Sequence, residues 1–199
     1  MTSHRIALTF DDGPDVWTEP ILDLLAEHSA KATFFVIGSA VSERAHLIRR
    51  MHADGHEVGN HTWSHPRLTR DCDDAEVRDE LQRTNEVLTE LAGHAPRRFR
   101  APHYDADERV LGIAAELGLA HTGVDLTPPD WDERFSASYL TTFVAQQAQA
   151  DAIVGFHDGV PPSERKAGRS RQPAVDAIAL ILPRLAERGF ECVTVSDLL

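Results

Sequence analysis

The stretch Arg5-Ile6-Ala7-Leu8-Thr9-Phe10-Asp11-Asp12-Gly13-Pro14 sets the reading of this chain: a short apolar run that ends on two adjacent carboxylates and a Gly-Pro turn. Consecutive strand residues face opposite ways, so Asp11 and Asp12 are predicted to divide their work, one holding a cation and the other, turned toward substrate, taking a proton. About fifty residues on, His61-Thr62-Trp63-Ser64-His65 offers two imidazoles four apart, the spacing of one face of a helix or helical turn. One carboxylate and two imidazoles suit Zn²⁺ or a similar ion and leave coordination positions open for water and a substrate oxygen. Singly, an Asp-Asp pair is an ordinary solvated turn, and two of eleven histidines at this spacing are an ordinary coincidence. Together they point to a metal-assisted hydrolase.

Outward from this stretch, β-branched or aromatic runs alternate with amphipathic helical segments, the pattern of an α/β protein with parallel strands. Seven runs are predicted as strands: Arg5 to Phe10, Ala32 to Gly38, His56 to Asn60, Arg98 to Ala101, Ala120 to Leu126, Ala152 to His157 and Glu191 to Val195. The clearest helix starts after Asp73, an N-cap with Glu76 three residues on, and carries Val77, Leu81, Leu88 and Leu91 on one face before Gly93. Asp11, Asp12, Arg100, Asp125 and His157 fall at or just beyond predicted strand ends. Barrel-like α/β folds build their active sites at that edge. With 199 residues, no internal repeat and no shift of composition, the chain is expected to form one domain over 1–199.

Composition narrows the partners. A net charge of −12 disfavours nucleic acid and anionic surfaces, since like charge repels over a Debye length of about 8 Å. Cys72 and Cys192 stand far apart in no Cys-x-x-Cys arrangement, so neither a disulfide scaffold nor a thiolate metal site is expected. No stretch approaches the roughly 18 apolar residues of a membrane span. The N-terminal residues show no signal peptide, so the expected location is cytoplasmic as written, or secreted if a leader was removed.

The ordered motifs Thr9-Phe10-Asp11-Asp12-Gly13-Pro14, His61-Thr62-Trp63-Ser64-His65, Arg100-Ala101-Pro102, Asp130-Trp131 and Phe156-His157-Asp158 resemble those of the polysaccharide deacetylase family, the NodB-homology or carbohydrate esterase family 4 domain. The resemblance spans nearly the whole chain and implies a distorted (β/α)7 barrel and a metal-dependent deacetylase. By it, Asp12, His61 and His65 would hold one divalent ion, usually zinc, with cobalt, manganese or nickel in some members. Asp11 would be the general base, Arg100 its ion-pair partner, His157 the acid that protonates the leaving amine, and Asp130 the carboxylate paired with His157. The backbone N–H of His103 would assist the oxyanion, and Trp131 would wall the substrate cleft.

Three departures from the family pattern bear on the substrate. His103-Tyr104 follows Pro102 where the family has Tyr-Gly or a close variant, and by the resemblance Pro102, His103 and Tyr104 would line the substrate cleft. Gly155 stands two residues before His157 where a leucine usually packs on the acetyl methyl, so an enlarged or reshaped acyl pocket is expected. Asp125 lies five residues before Asp130 instead of three. The implied reaction is hydrolysis of the acetamide of an N-acetylated amino sugar, chito-oligosaccharide or related small metabolite. A deacylase for another acyl group, a cyclic amide hydrolase and an inactive carbohydrate-binding barrel are the alternatives. A basic stretch over 160–173, with Arg169 and Arg171, is expected to be a solvated loop that could reach a substrate phosphate or carboxylate.

Overall fold

Strand β1 (His4–Asp11) is apolar on both faces because both are buried. Ile6, Leu8 and Phe10 pack outward into the main core beneath the helices, while Ala7 faces the interior with Ile153, Val195 and Leu198. In the computed structural model, which describes residues 4–165 and 168–199, β1 is the hub of a seven-stranded sheet. Its neighbours are β2 (Ala32–Val36) on one side and β6 (Ile153–His157) on the other, and its first residues pair with β7 (Phe190–Cys192). From β2 the sheet runs on through β3 (Glu57–Asn60) and β4 (Arg98–Phe99) to β5 (Ala120–His121), and every pairing is parallel.

Between the strands run α1 (Thr18–Glu27), α2 (Ala45–Ala53), α3 (Asp74–Ala92), α4 (Glu108–Glu116), α5 (Ala137–Gln147) and α6 (Gln172–Glu187). Helix α3 starts and stops as its sequence dictates. Asp73 and Glu76 form a reciprocal capping box, and Gly93 ends the helix in the left-handed region at φ 79°. Val77, Leu81 and Leu88 are buried, whereas Leu91 is only half-buried.

Four of the expected strands end early: the second stops at Val36 and the fourth at Phe99, and the fifth and seventh are cut shorter still. The fifth stops at His121 because the next carbonyls, those of Thr122 and Gly123, accept from the Arg100 guanidinium and not from a neighbouring strand. The chain then rejoins the sheet: Asp125 N and Leu126 N donate to Ile153 O, and Gly155 N donates to Leu126 O. This irregular stretch links the β5 side to β6 and closes a distorted barrel. The seventh strand ends at Cys192, and Val195–Leu198 turns into a short helix, α7, capped by the Thr194 side chain. Val195 and Leu198 thereby plug the barrel at the end opposite Asp11 and His157.

Candidate active site

At the carboxyl ends of the strands, Asp11 and His157 lie side by side in register on β1 and β6. Strict alternation would send Asp12 to the far side of β1, into the helix layer. Instead Asp12 has φ 75°, and this left-handed turn brings it onto the same cavity as Asp11. The expected division between opposite sides is therefore corrected to two carboxylates facing one cleft. The turn is held by close backbone packing, since a Cβ on Gly159 would lie 2.3 Å from Asp12 O. Among the described residues, seven non-glycines have positive φ, and five of them, Asp12, Thr62, His65, His103 and Tyr104, sit at this site. Backbone strain is concentrated where the side chains must be aimed.

His61 and His65 converge by a route other than the helical face their spacing suggests. Residues 61–65 form no helix; Thr62 at φ 69° and His65 at φ 67° fold the segment into a loop. Asn60 and α3 hold it. Asn60 Oδ1 accepts from Thr62 N at 2.7 Å, and its amide donates to Leu81 O at 2.8 Å. Glu80 accepts from Trp63 N and Ser64 N at 2.8 and 2.7 Å. Sequence reading did not single out Asn60 or Glu80, because nothing in a helical polar position shows which loop it will meet.

The donor set fits a divalent ion. Asp12 Oδ1 lies 3.4 Å from His61 Nε2 and 3.1 Å from His65 Nε2. Tetrahedral coordination with bonds of about 2.0 Å has edges of about 3.3 Å. His61 Nδ1–H donates to Arg100 O at 2.8 Å, which orients the ring so that Nε2 is turned toward Asp12. Burial favours the neutral form of Asp12, yet the His61 and His65 imidazoles and the charge of His157 hold its carboxyl well below the usual range.

Two ion pairs flank this triad, one buried and one partly exposed through His157. Arg100, wholly buried, donates through Nη1 to Asp11 Oδ1 at 2.8 Å and to Thr9 Oγ1 at 2.7 Å. Its guanidinium also stacks on Phe35, 4.1 Å from the ring centroid. Asp130 accepts from His157 twice, at Oδ1 from Nδ1–H (2.8 Å) and at Oδ2 from the backbone N–H (2.7 Å), so both ring orientation and tautomer are set. Burial alone would lower the His157 pKa. The Asp130 carboxylate, with Asp12 and Asp11 nearby, outweighs it and pushes His157 up to about 9. Behind His157, Asp158 is buried and accepts from Thr18 Oγ1, and burial together with the Asp12 and Asp11 charges pushes it up to about 7.

These groups face an open cavity of about 240 Å³, walled further by His103, Tyr104, Trp131, Glu164, Arg169 and Arg171. The Trp131 ring meets the edge of His157 with centroids 5.8 Å apart. His103 packs its ring on His65 at 4.6 Å, and burial, with His65 beside it, lowers its pKa. Its backbone N–H takes no intramolecular hydrogen bond among the described residues, whereas Tyr104 N and Asp105 N bond Ala101 O and Pro102 O.

Four expectations change here. Pro102 is buried behind the cavity wall instead of lining it. Gly155 leaves no void: a Cβ there would meet Val124 Cγ1 at 2.7 Å and Tyr104 Oη at 3.6 Å, so neighbouring side chains already fill the space where an enlarged acyl pocket is expected. Asp125 does not join the site; its carboxylate accepts from Ile153 N at 2.8 Å, at the start of β6. The basic stretch 160–173 is only partly a solvated loop, for Arg165 lies 3.7 Å from Asp15, Arg169 pairs with Glu164 at 2.8 Å, and Arg171 is buried. Lys166, also part of that expectation, lies outside the described residues.

Comparison with known proteins places this geometry among related ones. A family model described as polysaccharide deacetylase matches residues 1–122. The chitooligosaccharide deacetylase of Bradyrhizobium sp. (strain ANU 289) is 41% identical over 194 residues, spanning 95% of this chain and 88% of that protein. The solved Bc1960 peptidoglycan N-acetylglucosamine deacetylase superposes with a TM-score of 0.90 at 34% identity, over 98% of this chain and 87% of the other. A family 4 acetyl xylan esterase from Clostridium thermocellum, solved in complex with a cobalt ion, superposes with a TM-score of 0.86 at 35% identity, over 98% and 89%.

Proposed function

As the chain belongs to the polysaccharide deacetylase family, we propose that its cleft hydrolyses the acetamide of an N-acetylated amino sugar, in a chito-oligosaccharide or a related small metabolite. The observation that carries this reading is the meeting in one cavity of an Asp12-His61-His65 triad, an arginine-paired carboxylate and an aspartate-paired imidazole. Asp12, His61 and His65 would hold a divalent cation, which when bound would supply Lewis acidity to bring the pKa of water toward neutrality and to polarise the amide carbonyl. The nitrogen-oxygen donor set suits Zn²⁺ first, with Co²⁺, Mn²⁺ and Ni²⁺ as alternatives.

Each remaining step belongs to a protein group. Asp11, anchored through Oδ1 by Arg100, accepts the proton of the attacking water. The His103 N–H supports the oxygen on which negative charge develops. His157, kept cationic by Asp130, gives its proton to the amine as the carbon–nitrogen bond breaks, so acetate and the free amino sugar leave. Each of the two groups sits beside a partner of opposite charge: a guanidinium beside the base and a carboxylate beside the acid. Trp131 gives the sugar an apolar wall. An inactive carbohydrate-binding barrel would have no use for both pairs, and both are in place.

The test is a substrate panel. Turnover of soluble chito-oligosaccharides above that of insoluble chitin or peptidoglycan is expected, with acetyl preferred over longer acyl groups because the space over Gly155 is filled. Preference for the insoluble polymers, or for a longer acyl chain, would overturn the corresponding part of the reading.

A further inference from the structure

Two arginine side chains are wholly or almost wholly buried in this protein, and they differ in one respect. Arg100 spends its guanidinium on Asp11, Thr9 and two carbonyls. Arg171, 2% exposed, donates through Nε to Gly159 O at 2.9 Å; among the described residues its Nη1 has no partner and no carboxylate lies within 4.0 Å of it. An unpaired buried charge is costly, and Arg171 immediately precedes the 16-residue helix α6, whose N-terminal dipole adds positive potential and so raises that cost. The side chain also lines the cavity that holds Asp12, His65 and Trp131. The neighbouring Arg169 is already paired with Glu164 at 2.8 Å, so Arg171 is the wall cation left for an incoming group.

We propose that Arg171 is a substrate-recognition residue that binds an anionic substituent, a carboxylate or a phosphate, carried by the amino sugar whose amide is cut. This rests on the deacetylase reading and narrows it to acidic sugars, against the expectation from the net charge of −12 alone. A guanidinium matches both anions in fork geometry, and burial strengthens the pairing.

The experiment compares N-acetylglucosamine with N-acetylmuramic acid, which adds a carboxylate, and with N-acetylglucosamine 1-phosphate, which adds a phosphate. Deacetylation is followed for wild type, Arg171→Gln and Arg171→Lys, and binding of the same three sugars is followed by calorimetry at low and high salt. Wild type is expected to favour one charged sugar by about tenfold or more in kcat/KM, carried by KM. Arg171→Gln should abolish that ratio and Arg171→Lys keep part of it, and the favoured sugar identifies which anion is read. Equal kcat/KM and equal affinity for charged and neutral sugars in wild type would overturn the proposal while leaving the deacetylase reading intact. Tighter, salt-sensitive binding of a charged sugar with no acetate released from any of the three, or from chitobiose through chitopentaose, would support the anion site and overturn the deacetylase reading instead. If Arg171→Gln does not fold, the wild-type ratios and Arg171→Lys decide the matter alone.

Discussion

Replacing Asp130 by asparagine should turn a pH-independent acid into a pH-limited one. The substitution keeps the shape of a side chain that receives two hydrogen bonds from His157, at 2.8 and 2.7 Å, and removes its charge. An opposite charge at this distance is worth about 1–3 pKa units, or about 1.4–4 kcal/mol. With His157 at about 9, the imidazolium makes up about 90% of the population at pH 8. Without Asp130 the imidazole falls by that amount, to between about 8 and 6, where about 50% to 1% is protonated at pH 8. Turnover should therefore drop by about twofold to ninetyfold at pH 8 and by no more than about twofold at pH 6, before any loss of ring orientation is counted. A bound dication would lower His157 in both proteins and leave the direction of the difference unchanged. The assay is kcat against pH for both proteins at equal metal content. A deficit of the same size at pH 6 and pH 8 would refute the reasoning.

Other outcomes follow from the same structure. His56 is buried, its Nδ1 accepts from Ala32 N, and burial lowers its pKa from 6.5 to about 4. Because the unfolded chain takes up that proton first, the associated stability is full above about pH 6.5 and is lost as pH falls toward 4, by about 3 kcal/mol in all. Urea unfolding of wild type and His56→Gln at pH 7.5 and 5.0 should show the variant losing less stability on acidification; equal losses would contradict it. Glu80→Ala frees the Trp63 and Ser64 amides and should weaken metal binding by about 10–100-fold in a competing-chelator titration. Gly155→Leu drives new carbon into Val124 and should cost about 1–3 kcal/mol in urea unfolding, most of it recovered by adding Val124→Ala.

The seven strands were legible because apolar runs are local signals, and the gathering of Asp11, Asp12, His61, His65, Trp131 and His157 around one cavity was legible through the ordered motifs and the family resemblance they carry. What was not legible depends on contacts far apart in sequence. The left-handed turn at Asp12 is held by Gly159, nearly 150 residues away, and the loop that aims His61 and His65 is held by Asn60 and α3. The early end of β5 follows from Arg100 taking carbonyls that a ladder would otherwise use. Gly155 suggested an empty pocket, since a missing side chain in a sequence does not show which neighbours move in. Arg171 sits in a stretch whose composition reads as solvated, yet it is among the most buried side chains of the protein.

The central claim is that Asp11 serves as base beside a metal held by Asp12, His61 and His65. It is tested most directly by acetate release from chitobiose through chitopentaose by metal-stripped protein, with Zn²⁺, Co²⁺ or Mn²⁺ restored, beside Asp11→Asn. Release that requires added metal and is lost in Asp11→Asn, while that variant still binds one equivalent of metal, is the expected result. Undiminished release by Asp11→Asn, or by the stripped protein, would contradict the account.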